Sequence, residues 1–376
     1  MVAVVGFVIM RNNRRSAVEK YKAELRAKGE KISFAELGFP RTPENGEGLR
    51  RLTNAVDRIR NNNKFNPGEI ATMKFVAPGR VRVSWRSPEV MLSSNQATNW
   101  LGWEKLRTHF DGASNDLMEV RMAVEQPIRW FMYDPENMGV MIRYPFVPMR
   151  SAAQWLFGDG INALQSGDRS RVLQDIHALA QLTEFNTEDP TLVSQMIRVA
   201  ITGLGLSMTW EALQKPDWTE NDLWAMQRDW ERADLLKTFE ISFLGERASG
   251  DRLFNLIRTN GARQTLRMIA PPRSNSRWND IEGFFIGAMW RLNAEQDEML
   301  AITHYQKLLE CVRDMKQKPW PEIQDSSTNL FATLIVKMDQ QAGNAGLNRY
   351  KYLFSSMIIP NHTKALLTAE RQEMLR

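Results

Sequence analysis

The chain has 376 residues, 43% apolar and 25% charged, enough for a sizeable buried core and too apolar for a disordered bulk. Its single cysteine, Cys311, excludes an internal disulfide framework and any multi-cysteine zinc site. Net charge is +5, and residues 1–31 hold eight basic and three acidic groups, which leaves 41 of each in 32–376. A nucleic-acid partner would call for a basic stripe over the folded body, so this distribution argues against one.

The first ten residues, MVAVVGFVIM, are apolar or small and run straight into Arg11, Arg14 and Arg15. Ten residues of helix rise only about 15 Å, half of a bilayer's hydrocarbon thickness of about 30 Å. As it stands the segment is too short to span. A cleavable signal would carry its charge before the apolar stretch and a small-residue cleavage site after it, which is the reverse of this order. Three readings stay open. The segment is the end of a longer membrane anchor, or an interfacial segment held partly by its arginines, or a buried first strand or helical turn rich in β-branched residues. The first two place Val4, Val5, Phe7, Val8, Ile9, Arg11, Arg14 and Arg15 against lipid. Residues 11–31 then read as a basic juxtamembrane helix. The side of the membrane stays open, because charges upstream would also count.

Residues 16–28 are rich in helix formers and stop at Gly29. A Pro/Gly loop covers 39–48. Leu49, Leu52, Val56 and Ile59 recur at helical spacing until NNNKFNPG breaks the pattern. In KFVAPGRVRVSWR (74–86), Pro78-Gly79 suits a turn, and Val81, Val83 and Trp85 alternate with Arg80, Arg82, Ser84 and Arg86, which predicts a small β-hairpin. A second irregular stretch, 131–148, carries three prolines and reads as a loop or short hairpin. Residues 155–182 predict a helical hairpin, with Gly167 closing the first arm and Asp168 capping the second. Val172, Ile176 and Leu179 share one face, and Leu173 and Ala180 another. A fixed 34-residue repeat is absent.

Asp189-Pro190 predicts a helix start, with Val193, Met196, Ile197, Ala200 and Leu204 expected on its inner face. Thr219 and Asp222 form a start resembling a capping box, followed by Leu223, Met226, Trp230 and Ala233 at intervals of three and four. Leu236, Phe239 and Phe243 continue that surface. Further helices are expected over 276–294, 296–317, 327–342 and 347–370. The predicted fold class is all-α: an irregular array of antiparallel helical hairpins, with one or two small β-hairpins in the N-terminal third. The organisation reads as a stub at 1–10, a basic helix at 11–31, a mixed region at 32–148 and a helical body at 149–376, the last two forming one unit.

Chemistry is hard to find. His109, His177, His304 and His362 are mutually remote and remote from Cys311, so no local metal motif exists. Cys311 sits at helical spacing between Leu308 and Met315 and reads as core. Phosphate-loop, dinucleotide, zincin and nucleophile-elbow motifs are absent, and no cofactor is expected. GLGLS (203–207) suits close helix packing. Glu295 and Glu298, and Asp229, Glu231 and Asp234, are acids near one another. Twelve tryptophans include the close pairs Trp100/Trp103 and Trp224/Trp230. Paired acids with aromatic platforms could work on a glycan; solvated helix faces and core packing explain the same residues.

Three segments carry a resemblance: ELRAKGEKISFAELGFPRTPENGEG, DPTLVSQMIRVAITGLGL and FLGERA. Together they resemble a group of uncharacterised bacterial proteins with an N-terminal membrane helix and a long helical body. PENGEGLR departs from the group, where an Asn-Ala-Ala run is commoner. The resemblance implies a full membrane helix before the basic segment and further chain beyond ERQEMLR; it assigns no reaction and no site. The expected function is therefore a membrane-tethered, non-catalytic helical scaffold binding an unknown protein partner. The alternative is a helical enzyme or binding protein acting on cell-wall or other glycans through an acid- and Trp-lined cleft.

Overall fold

The computed structural model describes residues 2–38, 47–63, 65–70, 74–77, 80–82, 102–126, 146–185, 187–262, 264–265 and 277–318, with 322, 354–355, 365–366, 368–369 and 373. The described part is mainly α. Its helices are α1 (Val2–Ala27), α2 (Phe34–Leu37), α3 (Glu47–Asn62), α4 (Trp103–Gly112), α5 (Ser114–Val124), α6 (Phe146–Ser166), α7 (Arg169–Thr183), α8 (Leu192–Leu213), α9 (Glu220–Glu231), α10 (Leu235–Asn260) and α11 (Arg277–Met315). Two short strands, β1 (Lys74–Ala77) and β2 (Arg80–Arg82), pair antiparallel. Pro78-Gly79 and the alternating residues 83–86 lie outside the described residues, as do most of 131–148, 327–342 and 347–370.

The N-terminus is helical from Val2 onward, which overturns the reading of a buried first strand. No Gly or Pro stop stands between the apolar stub and the basic segment, so nothing divides them into two elements. The helix ends where the Glu30 amide donates back to the Leu25 carbonyl at 3.0 Å, closing a Schellman-type turn around Gly29. The expected pair of helices over 276–294 and 296–317 is likewise one helix of 39 residues. Its Asn-Ala-Glu-Gln joint holds no breaker.

The largest apolar cluster joins α3, α4, α5, α6, α7, α8 and α9. Leu52, Val56, Phe110, Leu117, Trp155, Phe157, Ile176 and Leu179 are among its buried members. Leu49, Leu52, Val56 and Ile59 are all buried, as their spacing predicts. Helices α4 and α5 carry no comparably marked signal in the sequence, being only 10 and 11 residues long. Helices α6 and α7 pack together across the turn at Gly167–Asp168, and the Asp168 side chain accepts the Arg171 amide at 3.1 Å. The α9 capping box between Thr219 and Asp222 is complete. A second cluster joins the start of α8, α10 and α11 through Leu192, Val199, Phe239, Phe243, Leu308 and Val312.

Helix α8 departs from expectation in two respects. Thr191, two residues after Asp189, is its N-cap, and Asp189 instead accepts the Thr191 amide at 2.8 Å. The face expected inside is the outer one. Val193, Met196 and Ala200 are exposed, Ile197 and Leu204 are half-buried, and Leu192, Gln195, Arg198, Val199, Ile201 and Thr202 point inward. Burial follows the hydrogen bonds of Arg198, which donates to the Thr183 carbonyl, to Gln195 Oε1 at 2.9 Å and to Thr238 Oγ1 at 2.6 Å. A buried guanidinium needs such partners, and that side of α8 supplies them. Of the α9 residues that recur at three and four, Leu223 is exposed, whereas Met226, Trp230 and Ala233 are buried.

Candidate functional site

The best-defined constellation is the seat of α1. Val18 and Leu25 pack with Ile32 on Ile302, with Tyr21 and Met299 at the margin. Among them runs Lys22, whose side chain is only 3% exposed. Its Nζ lies 2.6 Å from Asp251 Oδ1 on α10 and 2.6 Å from Glu298 Oε1 on α11. Arg258 donates to the other oxygen of Glu298 at 2.5 Å, and Asn255 to that of Asp251 at 3.2 Å. Burial pulls the Lys22 ammonium down, but the two carboxylates outweigh it and the net displacement is upward. Glu19 adds a third carboxylate 3.6 Å from Nζ, and a buried lysine is tolerated here because these charges and several hydrogen bonds face it.

Toward the N-terminus, Arg11 Nε donates to Glu295 Oε1 at 3.0 Å. Successive α1 contacts thus fall on successive positions of α11: Arg11 on Glu295, Lys22 on Glu298, Leu25 near Ile302. The contacts therefore advance in the same direction along both helices, with eleven residues of α1 passing over three of α11, so the two cross at an angle.

A knot of charge secures the far end. Glu30, just past α1, accepts from Arg247 at 3.0 Å, Arg313 at 2.5 Å and Gln306 at 3.2 Å. Burial alone would raise the Glu30 carboxyl; those donors hold it down at about 2. Arg247 also donates to the Lys31 carbonyl at 2.8 Å and to Gln306 Oε1 at 2.6 Å. Arg313 and Lys316 then share Glu240, at 2.8 and 2.6 Å.

The neighbours of Arg247 explain the FLGERA stretch. A Cβ on Gly245 would lie 2.2 Å from the Pro190 carbonyl oxygen, so only glycine lets α10 cross this loop so closely. Glu246 accepts the Leu192 amide at 2.9 Å, and so caps α8. Burial pushes the Glu246 carboxyl up to about 7 against the pull of that amide. Gly245-Glu246-Arg247 therefore brings together the end of α1 and the start of α8, which are the other two segments singled out in the sequence.

The expected lipid-facing residues divide. Val4, Val5, Phe7 and Val8 lie on the helical backbone of α1, and their side chains fall outside the described ones. Ile9 and Met10 are exposed, at 55% and 42%. Arg11 is engaged by the body, Arg14 is half-buried and Arg15 is exposed.

The expected acids are neutralised rather than gathered in a cleft. Glu295 and Glu298 hold α1, Asp234 caps α10 by accepting the Lys237 amide at 2.8 Å, and Glu231 accepts from Gln227 at 2.8 Å. Asp229 accepts from His177 Nδ1 at 2.8 Å while Glu125 faces Nε2 at 3.1 Å. Asp229, and then Glu125, raise the His177 imidazole against a smaller opposing effect of burial. With both ring nitrogens held, His177 is a clasp between α5, α7 and α9. His109 stacks on Phe65 with ring centroids 4.8 Å apart, and His304 and Cys311 are buried. His362 and Trp100 lie outside the described residues. Trp230 is buried and donates to Thr209 at 2.9 Å, and its ring lies where a Cβ on Gly205 would sit, which explains that glycine in GLGLS. Trp224 is exposed on α9.

One cluster escaped sequence reasoning. Asp159 and Asp175, both fully buried, hold Arg121 and Arg171 between α5, α6 and α7. Arg121 donates to Asp175 at 2.6 and 2.8 Å, and Arg171 Nε to Asp159 at 2.8 Å. Burial and the neighbouring Asp159 push the Asp175 carboxyl well up. The signal in the sequence was an aspartate on the apolar side of each arm of the 155–182 hairpin. Two arginines neutralise two aspartates, so the arrangement reads as a core ion network.

Among the described residues, no group of three or more His, Cys, Asp or Glu side chains is placed to hold a metal ion. The one described helix long and apolar enough to cross a membrane is α8, and 67% of its apolar window is buried in the body, as in a core helix. Compared with known proteins, the chain matches no family model, no curated protein and no solved structure.

Proposed function

We propose that this protein is a membrane-tethered, non-catalytic helical scaffold that presents its body to a protein partner. The observation that carries the reading is the continuity of α1. One helix of 26 residues begins in the apolar stub and ends locked between α10 and α11 by Lys22, Glu30 and Arg247. Such a tether is a rigid stalk: at 1.5 Å per residue it is about 39 Å long, and its lower half belongs to the body. Exposed Ile9 and Met10, with Arg15 and Lys20 on the same helix, suit a lipid interface of apolar tails under anionic headgroups. The resemblance to bacterial proteins carrying a membrane helix before this segment supports the same reading.

We read the body as an irregular array of antiparallel helical hairpins with a small β-hairpin in its N-terminal third. The short α6–α7 turn and the β1–β2 pair support that arrangement. The neutralisation of Glu295 and Glu298 by α1 weighs against the glycan alternative, which needs an uncommitted acid.

Vesicle flotation of the full chain tests the proposal. The protein is expected to float with phosphatidylcholine–phosphatidylglycerol vesicles, and Ile9→Asp is expected to weaken flotation about tenfold. Equal flotation of the Ile9→Asp and unsubstituted proteins, or flotation of neither, would refute it.

A further inference from the structure

Above the Arg11–Glu295 ion pair both helices continue toward their N-termini, and α11 extends 18 residues beyond Glu295, to Arg277. By helical spacing Ala288 and Leu292 lie on the same face of α11 as Glu295, the face that α1 covers at the ion pair. Both are nevertheless exposed, Leu292 at 43%. One turn above the ion pair, α1 therefore no longer covers α11. Ile9 and Met10 are open at the corresponding level of α1. The result is an apolar wedge contributed by two helices.

Its edges are basic. Arg14 on α1 is half-buried, and Arg15 on α1 and Arg291 on α11 are exposed. Of the nearby acids, Glu295 is bound by Arg11 and Glu298 by Lys22 and Arg258, while Glu19, exposed two turns below the ion pair, lies 3.6 Å from Lys22. An apolar wedge rimmed by cations complements an anionic lipid surface, and it is continuous with the proposed tether.

We propose that α11 is a second membrane contact. Leu292 and Ala288 enter the interface beside Ile9 and Met10, while Arg15 and Arg291 meet anionic headgroups. This inference rests on the membrane reading above and deepens it. A single stalk would leave the body free to turn about α1, whereas two inserted helices fix which face of the body looks at the lipid.

The test uses the full chain carrying Cys311→Ala, so that one introduced thiol is labelled with an environment-sensitive nitrobenzoxadiazole probe. Leu292→Cys supplies the site of interest, and Leu223→Cys, exposed on α9, supplies the control. On adding phosphatidylcholine–phosphatidylglycerol vesicles, the probe at 292 is expected to shift to the blue and to be quenched by doxyl-labelled lipid. The probe at 223 is expected to stay unchanged, and unlabelled Leu292→Asp to float about tenfold less well. Flotation with a silent probe at 292 would overturn this inference and leave the stalk reading intact. A concentration-dependent shift at 292 without vesicles would assign the wedge to a second copy of the chain and also overturn it. Failure to float would overturn both readings.

Discussion

Replacing Lys22 by Met keeps the methylene stem and removes the ammonium. Glu298 then keeps Arg258 at 2.5 Å, but Asp251 keeps only Asn255 at 3.2 Å. Removing one partner from a buried pair costs about 3–5 kcal/mol, because the remaining charge is left without compensation. Two features favour the lower end of that range. Glu298 retains a cation, and the Asp251 side chain is 12% exposed. About 3 kcal/mol is therefore expected, concentrated in the opening of α1 from α10 and α11. Native-state amide exchange reads that opening directly. Protection of the α1 amides around Val18–Leu25 should fall about 150-fold, whereas amides of α6 and α7 should change little. In Lys22→Met/Glu298→Gln, where the buried carboxylate is also discharged, the loss should be smaller than the sum of the two single losses by about 1 kcal/mol. A fall of less than about threefold in Lys22→Met would refute the reasoning, since the pair would then behave like a solvated surface contact.

Gly245→Ala drives a methyl group into the Pro190 carbonyl, and backbone cannot rotate away. Overpacking of about 1–3 kcal/mol outweighs alanine's helical advantage of about 1 kcal/mol, so the denaturation midpoint should fall. Gly112→Ala, with open space around its Cβ, should change it little; equal effects would refute the account of α10 crossing that loop. Asp229 and Glu125 raise His177 in the folded state, so the native protein holds a proton that the unfolded chain releases first. That contribution is complete below the ordinary imidazole value of about 6.5 and is lost as pH rises through the higher native value. Glu246, raised from 4.5 to about 7, gives a slope of the same sign between those two values. The slope due to His177 is therefore isolated as the difference between wild type and His177→Gln in denaturation midpoints measured against pH. Parallel curves would rule out the clasp.

The α6–α7 hairpin and the α9 capping box were legible because their determinants are local. Gly167, Asp168, Thr219 and Asp222 act within a few residues of themselves, and Leu52, Val56 and Ile59 repeat at the period of the structure they form. The outward face of α8 was not legible. Hydropathy placed Val193 and Met196 inside, but Arg198 had to reach Thr183 and Thr238, and the latter lies 40 residues away on another helix. The acids show the same division. Sequence brought Glu295 and Glu298 together, and only the fold brought Arg11 and Lys22 to them, across separations of 284 and 276 residues.

The amino-acid sequence by itself determined the helical class, the local caps and turns, and the concentration of positive charge behind an apolar start. Tertiary structure alone decided what that charge does. A buried cation must find its counter-charges wherever the chain folds them, and here they lie on α10 and α11, so that part of the basic segment is buried against the body.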